Sequence, residues 1–371
     1  MADRTSVVHL SSAHSRFDTR IFIKQTSSLA THGYSVSLVV ADGKGDEIKN
    51  GVAIADVGKS RGRLSRIFRT TNRVFRKAVQ LDADLYHLHD PELIPIGLKL
   101  KRMGKRVIFD AHEDVPKQML GKPYLGPMRL RALAGAFSLY ENFACAKFDG
   151  IVAATPYIRD KFLAINPRTV DINNFPVLGE LDAAVAWEAK RAEVCYVGGI
   201  GSIRGIRETV RAMELVQSGT RLNLGGRFFE PALEAEIRAA VGWSHVNELG
   251  FLDRVGVRDV MGRSVAGLVT LHPIINYLDA LPVKMFEYMA AGIPPIASNF
   301  PLWREIVEGN NCGLCVDPLD PAAIAKAIDY LVTHPEEARR MGENGRKAVL
   351  ATYNWSIEEK KLLDFYAMVL L

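Results

Sequence analysis

Short runs of β-branched and other apolar residues alternate along the chain with stretches whose apolar positions return every three or four residues. In the first half the runs are Val7–Leu10, Ser35–Val40, Val52–Val57, Leu85–His89, Val107–Ala111, Ile151–Thr155 and Val170–Ile172. They predict strands. Between them the helical period predicts helices over Arg20–His32, Arg63–Gln80, Glu92–Met103, Pro127–Lys147 and Pro156–Ala164. The alternation then restarts. Strands are predicted at Val194–Val197, Leu222–Gly225, Val246–Leu249, Gly267–Leu271, Pro295–Ser298 and Leu314–Val316. Helices are predicted at Ile206–Gln217, Pro231–Val241, Val283–Ala291, Pro301–Glu308, Pro321–Thr333 and Glu336–Ala351.

Strands separated by helices read as parallel sheets covered on both faces, an α/β fold. The break around Pro176–Ala192 divides the pattern in two. Two doubly wound, Rossmann-like domains facing a cleft are therefore expected, over residues 1–178 and 190–352. A last helix over 355–371 is expected to pack back on the first domain, with Ser356 and Glu359 forming a capping box. A chain of 371 residues is long enough for both cores.

Charge adds an asymmetry to a net +5. Residues 1–180 hold 27 Lys/Arg against 18 Asp/Glu, or +9, and the remainder 20 against 24, or −4. The basic half is expected to face an anionic partner such as a membrane surface or phosphorylated lipid. No RNA-binding signature accompanies the charge, and no nucleic-acid partner is expected. The segment Lys59–Lys77 carries no acid and repeats Leu64, Ile67, Phe68, Thr71, Val74, Phe75 and Ala78 at helical spacing. Its apolar stripe is expected to pack on the sheet, with the basic rim toward lipid. Lys117–Phe137 is a second, more apolar candidate. No apolar run reaches the ~18 residues of a membrane span. The start Met1-Ala-Asp-Arg lacks a signal-peptide pattern, so a cytoplasmic place at the inner face of the membrane is expected.

Four stretches carry candidate chemistry. Gly198-Gly-Ile-Gly201-Ser-Ile-Arg204-Gly205 ends a strand and opens a helix, a place where backbone amides favour phosphate and Arg204 adds a cation. In Lys284-Met-Phe-Glu287 the two charges share a helix face, and spacing alone admits either a surface ion pair or a phosphate-and-ribose pair. Tyr86-His-Leu-His-Asp-Pro-Glu92 and Phe109-Asp-Ala-His-Glu-Asp114 lie at strand C-termini, where open α/β sheets bind ligands. One functional histidine, His112, is favoured there over a metal cluster. Asp82-Ala-Asp84 reads as loop. Cys312 and Cys315, without a second ligand pair, read as small core residues rather than a zinc site. After the first strand no Gly-x-Gly-x-x-Gly follows, which disfavours a dinucleotide oxidoreductase.

Taken in order, these stretches resemble glycosyltransferase family 4, the retaining enzymes of GT-B fold, and among them bacterial enzymes of O-antigen, capsule and exopolysaccharide synthesis. The residues that carry the resemblance are Phe17-Asp18-Thr-Arg20, His87-Leu-His-Asp-Pro-Glu92, Phe109-Asp-Ala-His112-Glu, Tyr196-Val-Gly-Gly199, Arg204-Gly205, Leu281–Pro294 and Phe300–Ile306. The resemblance spans essentially the whole chain. It implies transfer of a sugar from a UDP- or GDP-sugar to a glycan acceptor, with no metal or other cofactor; the basic first half leads us to expect a polyprenyl-diphosphate-linked acceptor. It implies that Arg204 and Lys284 hold the donor diphosphate beside Gly198 and Gly199. It further implies that Glu287 binds ribose, that Gly250, Phe251 and Leu252 meet the base, and that His112 contacts the transferred sugar. Asp18 and Arg20 would lie on the acceptor side. Two departures stand out. The family's Glu-x7-Glu has Asp279 in its first place, and its usual Gly-Arg is here Gly198-Gly199. A non-hydrolysing sugar-nucleotide epimerase and a catalytically silent sugar-nucleotide-binding subunit are the alternatives.

Overall fold

The computed structural model describes residues 4–60, 62–121, 126–182 and 185–371. The chain forms two compact units, residues 1–174 with 358–371, and residues 175–357.

The first unit is built on an eight-stranded sheet. Its strands are β1 (Ser6–Leu10), β2 (Ser35–Val40), β3 (Glu47–Lys49), β4 (Val52–Asp56), β5 (Leu85–Leu88), β6 (Arg106–Ala111), β7 (Gly150–Ala153) and β8 (Thr169–Asp171). The spatial order is β3-β4-β2-β1-β5-β6-β7-β8. Every pairing is parallel except β3 with β4. β5 and β7 are buried along their whole length, as expected of parallel strands covered on both faces.

The second unit carries β9 (Glu193–Val197), β10 (Arg221–Gly225), β11 (Val246–Gly250), β12 (Ala266–Val269), β13 (Pro295–Ser298) and β14 (Leu314–Val316). Their order is β11-β10-β9-β12-β13-β14, all parallel. Two apolar clusters form its core, one around Met285, Phe286 and Trp303 and one around Ile206, Val210 and Ile324.

Three local expectations are corrected. Ser356 does not cap the last helix. The helix starts at Trp355, and Asn354 is the cap, its Oδ1 accepting from the Ile357 N–H at 3.3 Å. Buried Asn354 can do this because its amide also donates to the Val349 and Leu350 carbonyls. The stripe after Lys59 packs only in its second half. Thr70, Thr71, Val74 and Ala78 are buried, whereas Leu64 and Phe68 are exposed. A π-helical turn over Arg66–Thr70 explains the switch, because its extra residue rotates the preceding turn off the packed face. Arg20–His32 likewise begins as a π-helix over Thr19–Thr26, with Asp18 Oδ1 accepting from the Arg20 and Ile21 N–H groups.

The last helix, Trp355–Leu370, is fixed in the first unit by polar and apolar contacts. Glu358 accepts from the Asn173 N–H at 2.7 Å, and Tyr366 reaches the histidines of β1 and β5. A side chain on Gly150 would collide with the Phe365 ring, 2.5 Å from an added Cβ.

Candidate active site

In the first unit the parallel register stacks histidines. His9 on β1 pairs with His87 on β5, and His89 and Asp110 continue the same face beyond β5 and along β6. His9, His87, His89 and Asp110 are essentially out of solvent, and the His112 side chain is 19% exposed. One tautomer set satisfies the distances with His9, His87 and His89 neutral. His87 Nδ1 donates to Tyr366 Oη (2.6 Å), which donates to His9 Nε2 (3.2 Å). His9 Nδ1 donates to His89 Nε2 (2.8 Å). His89 Nδ1 (3.2 Å) and His112 Nε2 (3.1 Å) both donate to Asp110 Oδ2. His87 Nε2, the buried ring nitrogen of this network without a partner, is then a bare lone pair.

Electrostatics agree with neutral rings. Burial lowers the His9 and His87 pKa values well below the usual imidazole range and brings His89 down to about 3. Burial works to raise Asp110, but the Arg20 charge and the His112 and His89 contacts outweigh it and keep the carboxyl ionised. Arg20 is fully engaged beneath it. Its Nε and Nη2 donate to Asp110 at 3.0 and 2.7 Å, and Nη1 donates to the Ile172 carbonyl at 2.5 Å. Arg20, expected beside the acceptor, is thus 5% exposed and holds Asp110 in place.

His14, which the sequence reading passed over, stands beside this network, its ring 4.9 Å from that of His112. It donates to Asp90 at 2.9 Å, and Asp90 also accepts from the Ser12 N–H. His89, Asp110 and His112 bring their ligand atoms within reach of one cation, as do His9, His87 and His89. A cation at the first group would have to displace two N–H protons beside the Arg20 guanidinium, so the donor set suits an internal hydrogen-bond chain better.

In the second unit β9 is followed by Gly198, whose φ of +126° lies where side chains are strained. Lys284 lies over this glycine, 3.7 Å from where a Cβ would stand, and 3.5 Å from the Tyr196 ring centroid. The helix Val283–Ala290 directs it there. Its Nζ is out of solvent and has no hydrogen-bond partner. Burial, and then the charge of Arg204, push the Lys284 pKa well below the usual lysine range. Arg204 is half-buried, 5.4 Å from the centre of the Phe229 ring. The tip of that ring lies over Gly199, 2.2 Å from where a Cβ would stand, so a side chain there would have to push the exposed Phe229 aside. Gly205 (φ +74°) then opens the helix Ile206–Leu215. A Cβ on Gly205 would lie 1.9 Å from the Thr270 carbonyl, so only glycine lets this helix start approach β12.

The ion pair that spacing left open does not form. Glu287 accepts instead from Arg254 Nη1 at 2.7 Å, and Arg254 Nε and Nη2 grip Glu180 at 2.7 and 2.8 Å. Arg254 and Glu180 were not legible as site residues. Gly250 takes φ +65° and its carbonyl accepts from the Gly226 N–H at 2.7 Å. Phe251 is 68% exposed with the Arg227 guanidinium 4.7 Å from its ring centre, and Leu252 packs on Gly225. Asp279 is half-buried in the loop ahead of Val283–Ala290, close in sequence to Ala280, whose carbonyl accepts from Trp303 Nε1.

Comparisons with known proteins match both halves of the chain. The family model described as Glycosyl transferases group 1 matches residues 179–348, and that of Glycosyltransferase Family 4 matches residues 21–173. The phosphatidyl-myo-inositol mannosyltransferase of Mycobacterium leprae is 24% identical over 307 residues, covering 80% of this chain and 77% of that protein. Sucrose-phosphate synthase from Thermosynechococcus elongatus superposes with a TM-score of 0.76 at 20% identity, over 99% of each chain. HepE from Anabaena, in complex with UDP and glucose, gives 0.77 at 12% identity, over 98% of this chain and 100% of that one. With both halves matched in order and two parallel-sheet domains in place, the chain belongs to glycosyltransferase family 4, with the GT-B fold.

Proposed function

We propose that this glycosyltransferase moves a sugar from a UDP- or GDP-sugar to a hydroxyl of a lipid-linked glycan, with retention of configuration and without a metal. Surface-polysaccharide synthesis, O-antigen included, is the setting that fits such an acceptor. The observation that carries the reading is Lys284. A buried ammonium with no hydrogen-bond partner, next to a second cation and a glycine turn, is costly unless an anion binds there. A donor diphosphate supplies that anion. The HepE complex with UDP supports a nucleoside diphosphate in this fold.

In the proposed reaction the anomeric carbon–oxygen bond to the diphosphate breaks and negative charge grows on the leaving oxygen. Arg204, Lys284 and the first amides of helix Ile206–Leu215 are the fixed donors for that charge. The acceptor hydroxyl attacks from the face the diphosphate leaves, and the departing phosphate takes its proton. The products are the glycoside, with its anomeric configuration kept, and the nucleoside diphosphate. Glu287 accepts from ribose, and Gly250, Phe251 and Leu252 border the base. Asp279 takes the place of the first acid of the family pair. His112, its Nε2–H held by Asp110, offers Nδ1 to a hydroxyl of the transferred sugar. Asp18 stays on the acceptor side, and Arg20 acts through Asp110. Replacing Arg204 or Lys284 by Ala is expected to cut turnover about 10²–10³-fold. Near-normal turnover in both folded variants contradicts the diphosphate assignment.

An inner-membrane surface is the proposed neighbour of the first unit. Helix Pro127–Cys145 exposes Met128, Leu133, Leu139 and Phe143 together with Arg129 and Arg131. Its one acid, Glu141, is buried against Lys161. Leu64 and Phe68 add exposed apolar surface beside the basic Lys59–Lys77 stretch. No helix among the described residues is long and apolar enough to cross a membrane. The relative named for phosphatidyl-myo-inositol supports a lipid-borne acceptor. Anionic liposomes should bind the protein at low salt and release it at high salt; no binding at low salt contradicts this surface.

A further inference from the structure

We infer that Arg254 is the positioning residue that presents Glu287 to the nucleotide ribose, with Glu180 as its anchor. The inference rests on the proposed role of Glu287 and adds what makes that role possible.

Glu287 sits on helix Val283–Ala290 and its side chain is 11% exposed. A carboxylate so placed must be held in one rotamer to accept from two hydroxyls. Lys284, one turn earlier, does not do it. Arg254 does, through Nη1 on Oε1. The guanidinium cannot swing, because its Nε and Nη2 form a two-pronged grip on both oxygens of Glu180. A planar fork fixed at two nitrogens fixes the direction of the third. Arg254 is itself set by the helix it opens, where Asp253 Oδ1 caps the Gly256 N–H at 2.8 Å. A carboxylate offers about four lone-pair directions. One bond from Arg254 therefore leaves capacity for both ribose hydroxyls. Burial works against the Arg254 charge, but the Glu180 and Glu287 contacts outweigh it and hold the guanidinium protonated. Arg254 also directly follows Gly250-Phe251-Leu252-Asp253, so one short segment would set both the base border and the ribose acceptor.

The test separates this role from a general structural one by removing the hydroxyls rather than the protein alone. Binding of UDP and of 2′,3′-dideoxy-UDP, and of GDP and 2′,3′-dideoxy-GDP, is measured on the full chain for wild type, Glu287→Gln, Arg254→Met, Arg254→Lys and Glu180→Gln. Hydrogen bonds to a charged group predict that wild type prefers the ribonucleotide by on the order of 10-fold or more in the base series it binds. Arg254→Met should lose most of that preference while its affinity for the dideoxy nucleotide stays within about threefold of wild type. Arg254→Lys and Glu180→Gln should fall between. If Glu287→Gln loses the preference but Arg254→Met keeps it, or weakens both nucleotides equally, the inference is overturned and the ribose reading stands. If wild type shows no preference in either series, or Glu287→Gln retains it, the ribose reading falls and takes the inference with it.

Discussion

The two polar sites of this chain solve burial in opposite ways. In the first unit Asp110 is out of solvent, yet it is met by Arg20, His89 and His112, and the chain runs on through His9 and Tyr366 to His87. In the second unit Lys284 is equally dry at Nζ, has no hydrogen-bond partner, and is met by a tyrosine face and a neighbouring cation, with the Glu287 carboxylate acting on it only from a distance. A satisfied network specifies a shape; an unsatisfied charge specifies a ligand. Under the proposed function the histidines mainly hold His112 and the last helix, and the cations meet the leaving group.

The largest expected effect tests the first half of that contrast. Asp110→Ala strands the buried Arg20 guanidinium and should cost about 3–5 kcal/mol of stability. Arg204→Ala, at a half-buried site with no ion pair, should cost less than about 1 kcal/mol while abolishing most turnover. Denaturant unfolding of the two variants checks this, and equal losses would erase the distinction.

A smaller effect sharpens the second half. Lys284→Met replaces a lone buried ammonium with a chain of similar length, so the nucleotide-free protein should gain about 1–2 kcal/mol. The sign has a pH signature. The folded pKa of Lys284 lies below the unfolded value of ~10.4, so between the two the unfolded state binds more protons. Stability from this group therefore rises with pH across that window, and the penalty is complete below the folded pKa. Lys284→Met should remove that slope. Destabilisation of the nucleotide-free variant would mean that the ammonium is already compensated.

Much of the fold was legible because parallel strands buried on both faces leave dense apolar runs. Ser35–Val40, Pro295–Ser298 and Leu314–Val316 fall where the pattern puts them. The edge strand Glu47–Lys49 was not, because its charged ends and exposed Ile48 carry no burial signal. Helix Arg254–Arg263 was missed for a related reason, being rich in charge and interrupted by Gly256 and Gly262. Of the candidate site, Arg204 stood out through its glycine turn, whereas Lys284 and Glu287 took their roles from the family resemblance, spacing alone leaving an ordinary ion pair open. His9 was hidden inside the apolar run Val7–Leu10, although alternate residues of that strand share its face. Glu180 and Arg254 are 74 residues apart, and only the folded chain brings them together.

The central claim is that Lys284, buried without a hydrogen-bond partner and with its pKa pushed well below the usual lysine range, waits for a diphosphate. Calorimetric titration of wild-type protein with UDP, and with GDP, in two buffers of different ionisation heat tests it most directly. At about pH 8.5 the nucleotide phosphates are already fully ionised, their second pKa being ~6. A diphosphate beside Lys284 raises its lowered pKa, so binding should take up a proton and the apparent enthalpy should change with the buffer. Tight binding whose enthalpy is the same in both buffers, or that releases a proton, would contradict the account.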